Sequence, residues 1–376
     1  MHERKLTVLQ ALPALDFGGV ERGTVELGRE LVRRGCRSLV ISAGGRLVDR
    51  LVREGSEHIA WTIGAKTPWT FRYVSQLRRL LREEQVDILH MRSRMPAWVC
   101  WLAWSKMPPG QRPRLISTVH GPYSVNRYSS VMTRGETVIA ISRSIVEYLN
   151  RNYPGLPSDR IRLIHRGVDP AEYPRGCRPD AAWLKAWHTE YPELAGRSLL
   201  TLPARVTRWK GQEDFLQVIA ELQSQGRNVH GLIVGGCDPR RAAFVSEIRQ
   251  KAVVMGIKDR ITLTGHRGDL KEIMAVSDVV LSLSREPEAF GRAALEALCL
   301  GRPVVAYDHG GVSEQLAAML PEGAVPVGNV RAAAARAAAW LDRPPVVGAE
   351  NPFTLQNMLD ATIRVYQDLT TLRAAA

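Results

Sequence analysis

SREPEAFGRAALEALCLGRPVVAYDHGG, residues Ser284 to Gly311, decides the fold. It reads as strand end, loop, helix, turn, strand, loop. The strand Val279 to Leu283 ends just ahead of it, and from Gly291 the apolar positions Ala294, Leu295, Leu298 and Cys299 recur at helical spacing. Gly301 and Pro303 then stop that helix. A loop EAFG held between a strand end and a helix start presents backbone N–H groups, and the positive end of the helix dipole, to an anionic ligand.

Two carboxylates frame this loop, Glu288 at its front and Glu296 one to two turns further on. If helical rise applied throughout, they would be about 12 Å apart along the axis. Carboxylates flanking one glycosidic bond sit roughly 5 to 9 Å apart, so the spacing better suits the two ends of one long ligand. A nucleotide sugar has the right length, with its sugar at Glu288, its phosphates at the helix start and its ribose at Glu296. Two solvated glutamates at a helix start would give the same pattern, and the pair alone leaves both readings open.

The wider run EAFG, LEAL, PVVA and GG resembles the Glu-x7-Glu signature of retaining glycosyltransferases of family 4, group 1 enzymes with the GT-B fold. Further matching segments extend from Gly18 to the C-terminal helix, and within the family the chain most resembles bacterial lipopolysaccharide core glycosyltransferases. The resemblance implies an α/β fold of two Rossmann-like domains facing each other across a cleft. Residues 1–175 would bind the acceptor, residues 176–353 would bind the donor, and residues 354–376 would form a helix packing back on the N-terminal domain.

Length and composition agree with two domains. The 376 residues are 45% hydrophobic, enough for two ordinary cores. No apolar run approaches the roughly 18 residues of a membrane span, and MHERKLTVLQALPAL passes into a strand-like run without a signal-peptide pattern. A cytoplasmic location is expected. Cys36, Cys100, Cys177, Cys237 and Cys299 are widely spaced and form no CxxC, which argues against a disulfide framework or a zinc site.

Charge is unevenly placed. Residues 1–175 hold 28 Lys and Arg against 16 Asp and Glu, and the remainder 23 against 22. An anionic partner for the first half follows. Nucleic acid and an anionic membrane surface both fit that charge, but no zinc finger or RNP sequence is present, and no nucleic acid partner is expected.

Taken from the start, Leu6 to Leu12 reads as a buried strand, followed by a loop and a helix from about Val20 to Arg34. Neither GxGxxG nor GxxxxGK occurs there; Gly18 and Gly19 still allow close backbone approach to a ligand. Strands follow near Ser38 to Ser42, His58 to Trp61, Asp87 to His90 and Leu115 to Thr118. Trp98, Trp101 and Trp104 form a stripe that suits either core or a membrane-facing patch beside Arg72, Arg78, Arg79, Arg82 and Lys106. His120 stands at the carboxyl end of RLISTV, where open parallel sheets place ligands, and Ser142 is placed to cap a helix. A linker rich in proline and charge is expected between Pro170 and Pro192. In the second half, ARVTRWKGQ sets Arg205, Arg208 and Lys210 between a strand and a helix, and TLTGHRGDL follows another strand.

The family resemblance assigns roles to these positions. Gly18 and Gly19 would lie against the donor diphosphate and the acceptor, and His120 near the reacting centre. Arg205 and Lys210 would hold the diphosphate, and the turn at Arg267 would hold the base by backbone contacts. Glu288, Ala289, Phe290, Gly291, Arg292 and Glu296 would complete the donor site, with His120, Glu288, Arg205 and Lys210 the catalytic set. No Asp-x-Asp occurs in the chain, so neither a metal nor another cofactor is expected. The expected donor is a UDP-sugar, UDP-glucose or a relative. The expected acceptor is an anionic glycolipid or oligosaccharide, the lipopolysaccharide core, met at the inner face of the cytoplasmic membrane. Two rivals share some of these features: a sugar-nucleotide epimerase of GT-B fold, and a basic nucleic-acid-binding protein without enzymatic activity.

Overall fold

Every strand pairing among the described residues is parallel, as the near-continuous apolar runs of the strands require, because a parallel sheet is covered on both faces. The structure is a computed structural model and describes residues 5–16, 18–238 and 242–374. It divides into two units, Met1–His165 with Gln356–Ala376, and Arg166–Leu355. The division falls ten residues before the expected boundary at 175.

The first unit contains β1 (Thr7–Ala11), α1 (Gly19–Arg33), β2 (Arg37–Ser42), α2 (Val48–Arg53), β3 (Glu57–Ala60), α3 (Tyr73–Glu83), β4 (Ile88–Met91), α4 (Arg94–Ser105), β5 (Arg114–Val119), β6 (Thr137–Ala140), α5 (Arg143–Asn152) and β7 (Ile161–Leu163). Its sheet has the order β3-β2-β1-β4-β5-β6-β7. Ser142 caps α5 by accepting a hydrogen bond from the Ile145 amide at 3.2 Å.

The second unit contains α6 (Ala181–Glu190), β8 (Ser198–Pro203), α7 (Gln212–Ser224), β9 (Val229–Val234), α8 (Ala242–Val254), β10 (Ile261–Gly265), α9 (Leu270–Val276), β11 (Val279–Ser282), α10 (Arg292–Cys299), β12 (Val304–Tyr307), α11 (Gly310–Met319), β13 (Ala324–Val325) and α12 (Val330–Asp342). Its sheet runs β10-β9-β8-β11-β12-β13.

The last helix, α13 (Leu355–Ala374), belongs to the first unit. Tyr366 is fully buried, and its hydroxyl lies 2.6 Å from Nδ1 of His90 on β4. Near the start of α13, Arg34 pairs with Asp360, and the Gln356 amide reaches Glu30 at 3.5 Å.

One expectation is corrected. Residues 170–192 are not a plain linker, since α6 occupies the second half of that stretch. Trp187 of α6 is 2% exposed in a core with Leu199 and Leu232, stacked on Trp183 and tilted against Tyr191. Aromatic burial there outweighs the proline and charge that suggested a linker. The Trp98, Trp101 and Trp104 stripe is half-buried in the first unit: the Trp98 and Trp104 indoles donate to the Tyr128 and Pro113 carbonyls at 2.9 and 2.8 Å. Arg134 lies 4.0 Å from the Trp101 ring centroid. Of the two readings left open for the stripe, packing within the first unit fits these contacts.

Candidate active site

In both sheets the strand order reverses once, between β1 and β4 and between β8 and β11. Ligands of open parallel sheets bind outside the carboxyl ends at such a reversal. In the second unit the loops at that point are 204–210, after β8, and 283–291, after β11. They enclose a cavity of about 230 Å³ lined by Arg205, Lys210, Ser284, Glu288, Gly291 and Ala294, among others.

The cavity is electrically specific. Lys210 Nζ lies 2.8 Å from Glu288 Oε1, with both side chains less than one-fifth exposed, and Ser284 Oγ donates to the same oxygen. The Trp209 ring lies under the Lys210 ammonium at 4.2 Å. Arg205 is exposed, lines the same cavity and has no ion-pair partner among the described residues. One carboxylate and two cations leave a net positive pocket at the amino end of α10, the arrangement an anion requires.

The loops hold this geometry through contacts distant in sequence. Gly211 has φ +75, and a Cβ there would meet the Leu283 carbonyl oxygen at 2.0 Å, so only glycine lets the lysine loop approach the end of β11. The Arg285 amide donates to the Trp209 carbonyl at 2.8 Å. Asp214, wholly buried on α7, accepts from Arg285 and from the Tyr307 hydroxyl, the latter at 2.6 Å. Burial, with Asp214 as its acceptor, pushes the Tyr307 pKa well above the usual phenol range. His309 Nε2 donates to the Ser284 carbonyl at 2.7 Å. The Gly311 amide donates to the Glu288 carbonyl at 2.8 Å, and Gln315 donates to that of Phe290. Side chains at Gly310 or Gly311 would collide with the backbone of residues 287–290, which explains the closing GG of the deciding stretch.

Arg205, Lys210, Glu288 and Gly291 therefore meet in one cavity. Phe290 is buried, edge-on to Phe353 with ring centroids 5.8 Å apart. Ala289 lies half-buried in the same loop, where its carbonyl oxygen is one of the atoms a Cβ at Gly311 would meet. Glu296 is 5% exposed within α10, with Arg292 Nε at 3.7 Å. Helical rise does not run unbroken from Glu288 to Glu296, because Gly291 is left-handed and α10 starts at Arg292; the 12 Å axial spacing does not hold. Arg267 does not line this cavity. Its guanidinium pairs with Asp269 and Glu190, each at 2.8 Å, and these hydrogen bonds raise its pKa. Arg208 points outward to Glu247 at 2.7 Å.

The remaining positions lie in the first unit. Gly18 is extended and precedes α1, which begins at Gly19. His120 follows β5, and its amide donates to the Tyr123 hydroxyl at 3.3 Å. Between them in the sheet, Arg92 follows β4; it is 2% exposed and donates to Gln10 Oε1 at 2.8 Å. Burial pushes the Arg92 pKa down to about 10. Arg92 was not singled out from the sequence, nor were Asp214, Tyr307 and His309, because nothing local marks them.

Residues 17–172 match the family described as Glycosyltransferase Family 4, and residues 186–351 match Glycosyl transferases group 1. The chain belongs to the group 1 glycosyltransferases. N-acetyl-alpha-D-glucosaminyl L-malate synthase of Bacillus anthracis is 24% identical over 317 residues, 80% of this chain and 78% of that protein. A glycosyltransferase from Rickettsia africae superposes with a TM-score of 0.85 at 28% identity, covering 97% of this chain and 98% of its own. Anabaena Alr3699/HepE, solved with UDP-glucose, gives a TM-score of 0.75 at 19% identity, covering 98% of both chains, and shares the fold. That fold is GT-B, built here from two parallel-sheet Rossmann-like units.

Proposed function

We propose that this glycosyltransferase moves a hexosyl group, with retention of anomeric configuration and without a metal, from a nucleoside diphosphate sugar to a saccharide acceptor. The observation that carries this reading is the Lys210–Glu288 pair beside Arg205, at the chain reversal of the second sheet. Transfer breaks the bond from the anomeric carbon to a β-phosphate oxygen, so negative charge grows on the leaving phosphate. Lys210, Arg205 and the first-turn amides of α10 stabilise that charge. The acceptor oxygen attacks the same face, and its proton passes to a leaving-phosphate oxygen. Glu288 holds sugar hydroxyls, Glu296 the ribose, and His120 the sugar near the reacting carbon. UDP-glucose, present with the Anabaena neighbour, is the first donor to test.

The acceptor on this reading is the lipopolysaccharide core oligosaccharide, met by a peripheral enzyme at the inner face of the cytoplasmic membrane. The first unit supports it by holding 28 Lys and Arg against 16 Asp and Glu. No helix among the described residues is long and apolar enough to cross a membrane. A thermal-shift screen of UDP, GDP, ADP and CMP sugars tests the donor, since a ligand of the native state raises its melting temperature. A shift with one nucleotide class, followed by sugar transfer in excess EDTA, is the expected result. Donor conversion without an acceptor would make the chain an epimerase.

A further inference from the structure

The most exposed aromatic side chain of the described residues is not in the tryptophan stripe. Trp69 is 78% exposed and Phe71 is 45% exposed, on a single turn of 3-10 helix, Pro68–Arg72. Thr70 between them is 2% exposed, and its hydroxyl donates to the Ala65 carbonyl at 2.7 Å. The turn is pinned at its middle residue and holds both aromatic rings in water. Tyr73, which directly follows the turn, stacks on Trp61 with ring centroids 5.2 Å apart.

The segment itself carries charge of one sign. Residues 58–82 contain Lys66, Arg72, Arg78, Arg79 and Arg82 and no Asp or Glu, with Glu57, Glu83 and Glu84 at its edges. Lys66 and Arg72 bracket the turn. The apolar side of α3 is spent on the core through Tyr73, Val74, Leu77 and Leu81, while Arg79 and Arg82 are exposed. Arg79 reaches Glu83 only at 3.8 Å, and Lys66, Arg78 and Arg82 have no ion-pair partner among the described residues. Aromatic rings held out among cations, three of them without an ion-pair partner among the described residues, suit the headgroup region of an anionic bilayer, where the rings enter the interface and the cations meet lipid phosphates.

We infer that residues 66–82 form a membrane-docking surface in which Trp69 and Phe71 insert at the interface of an anionic bilayer. This rests on the peripheral location proposed above, and names the part of the first unit that makes the contact.

The test sediments the full chain with vesicles of phosphatidylglycerol and phosphatidylcholine, and with phosphatidylcholine alone, at low and high salt. Wild type is compared with Trp69→Ala/Phe71→Ala and with Arg78→Glu/Arg79→Glu/Arg82→Glu. Sugar transfer to a water-soluble acceptor and the melting temperature are followed in parallel. The expected result is wild-type binding to anionic vesicles only, weakened by high salt. Each variant should lose at least tenfold in partitioning with folding and transfer intact, and brominated lipid should quench less fluorescence in Trp69→Phe than in wild type. If wild type binds anionic vesicles and the aromatic variant binds equally well, the peripheral location stands and this surface is wrong. If wild type stays in the supernatant, both fall. Salt-sensitive binding of a single-stranded 20-mer through Trp69, without vesicle binding, would overturn the inference in favour of nucleic acid.

Discussion

Lys210 and Arg205 are both assigned to the leaving diphosphate, yet the structure holds them differently, and alanine substitutions should separate the two. Lys210 is already paired with Glu288 at 2.8 Å, with 15% and 17% of the side chains exposed, whereas Arg205 projects without an ion-pair partner among the described residues. Removing a fixed donor from developing charge in a shielded site costs about 100- to 1,000-fold in turnover. Lys210→Ala should fall in that range. Arg205 is exposed, and a hydrogen bond to a charged group contributes about 1.5 to 3 kcal/mol, so Arg205→Ala should lose roughly 10- to 100-fold. Stability should separate the two variants in the same order. Lys210→Ala strands a largely covered carboxylate with Ser284 as its recorded partner, at a cost of about 1 to 3 kcal/mol. That cost lowers the melting temperature by several degrees, at about 2 to 4 °C per kcal/mol for a unit of this size. Arg205→Ala breaks no ion pair among the described residues and should melt within about 0.5 kcal/mol of wild type. Initial-rate kinetics with saturating donor and scanning calorimetry read both quantities. If both variants kept kcat/KM within threefold of wild type, or if Arg205→Ala were the destabilised one, the assignment of the clamp would be refuted.

Three further outcomes are expected. Glu296→Gln should chiefly weaken nucleotide binding and Glu288→Gln chiefly lower kcat; equal losses of kcat alone would contradict their assignment to opposite ends of the donor. Activity should persist in excess EDTA, and full loss restored by Mg²⁺ or Mn²⁺ would contradict a phosphate clamp made of protein groups. His230 on β9 is 1% exposed, and burial, with Arg197 at 3.1 Å from Nδ1, pushes its pKa down to about 4. The unfolded imidazole titrates near 6.5, so stability is lost as pH falls from about 6.5 to 4, by at most about 3 kcal/mol. Urea unfolding at pH 5 and 7 should show a smaller pH dependence in His230→Gln than in wild type, and an unchanged one would sink the assignment.

The sequence alone revealed what is written locally. The stretch from Ser284 to Gly311 carries its own periodicity and stop signals, and Ser142 is a cap readable from its neighbours. The supports of the site are not local. Asp214 meets Arg285 and Tyr307 across 71 and 93 residues, and no spacing rule joins an acid on one helix to a phenol on a later strand. Trp98 and Trp69 show the same limit at the surface. Both are tryptophans near arginines in the sequence; a carbonyl partner 30 residues away draws Trp98 in, and the pinned turn holds Trp69 out. Helix α6 was obscured because its evidence is stacking among Trp183, Trp187 and Tyr191, not a long apolar period.

The most direct test is calorimetric titration of UDP, GDP, ADP and CMP into wild type and into Arg205→Ala/Lys210→Ala. One nucleoside diphosphate should bind wild type at micromolar concentration, and the double variant should bind it at least 100-fold more weakly while remaining folded by circular dichroism. Equal binding by wild type and the double variant, or binding of none of the four nucleotides, would contradict the placement of a nucleotide-sugar diphosphate in the cavity between β8 and β11.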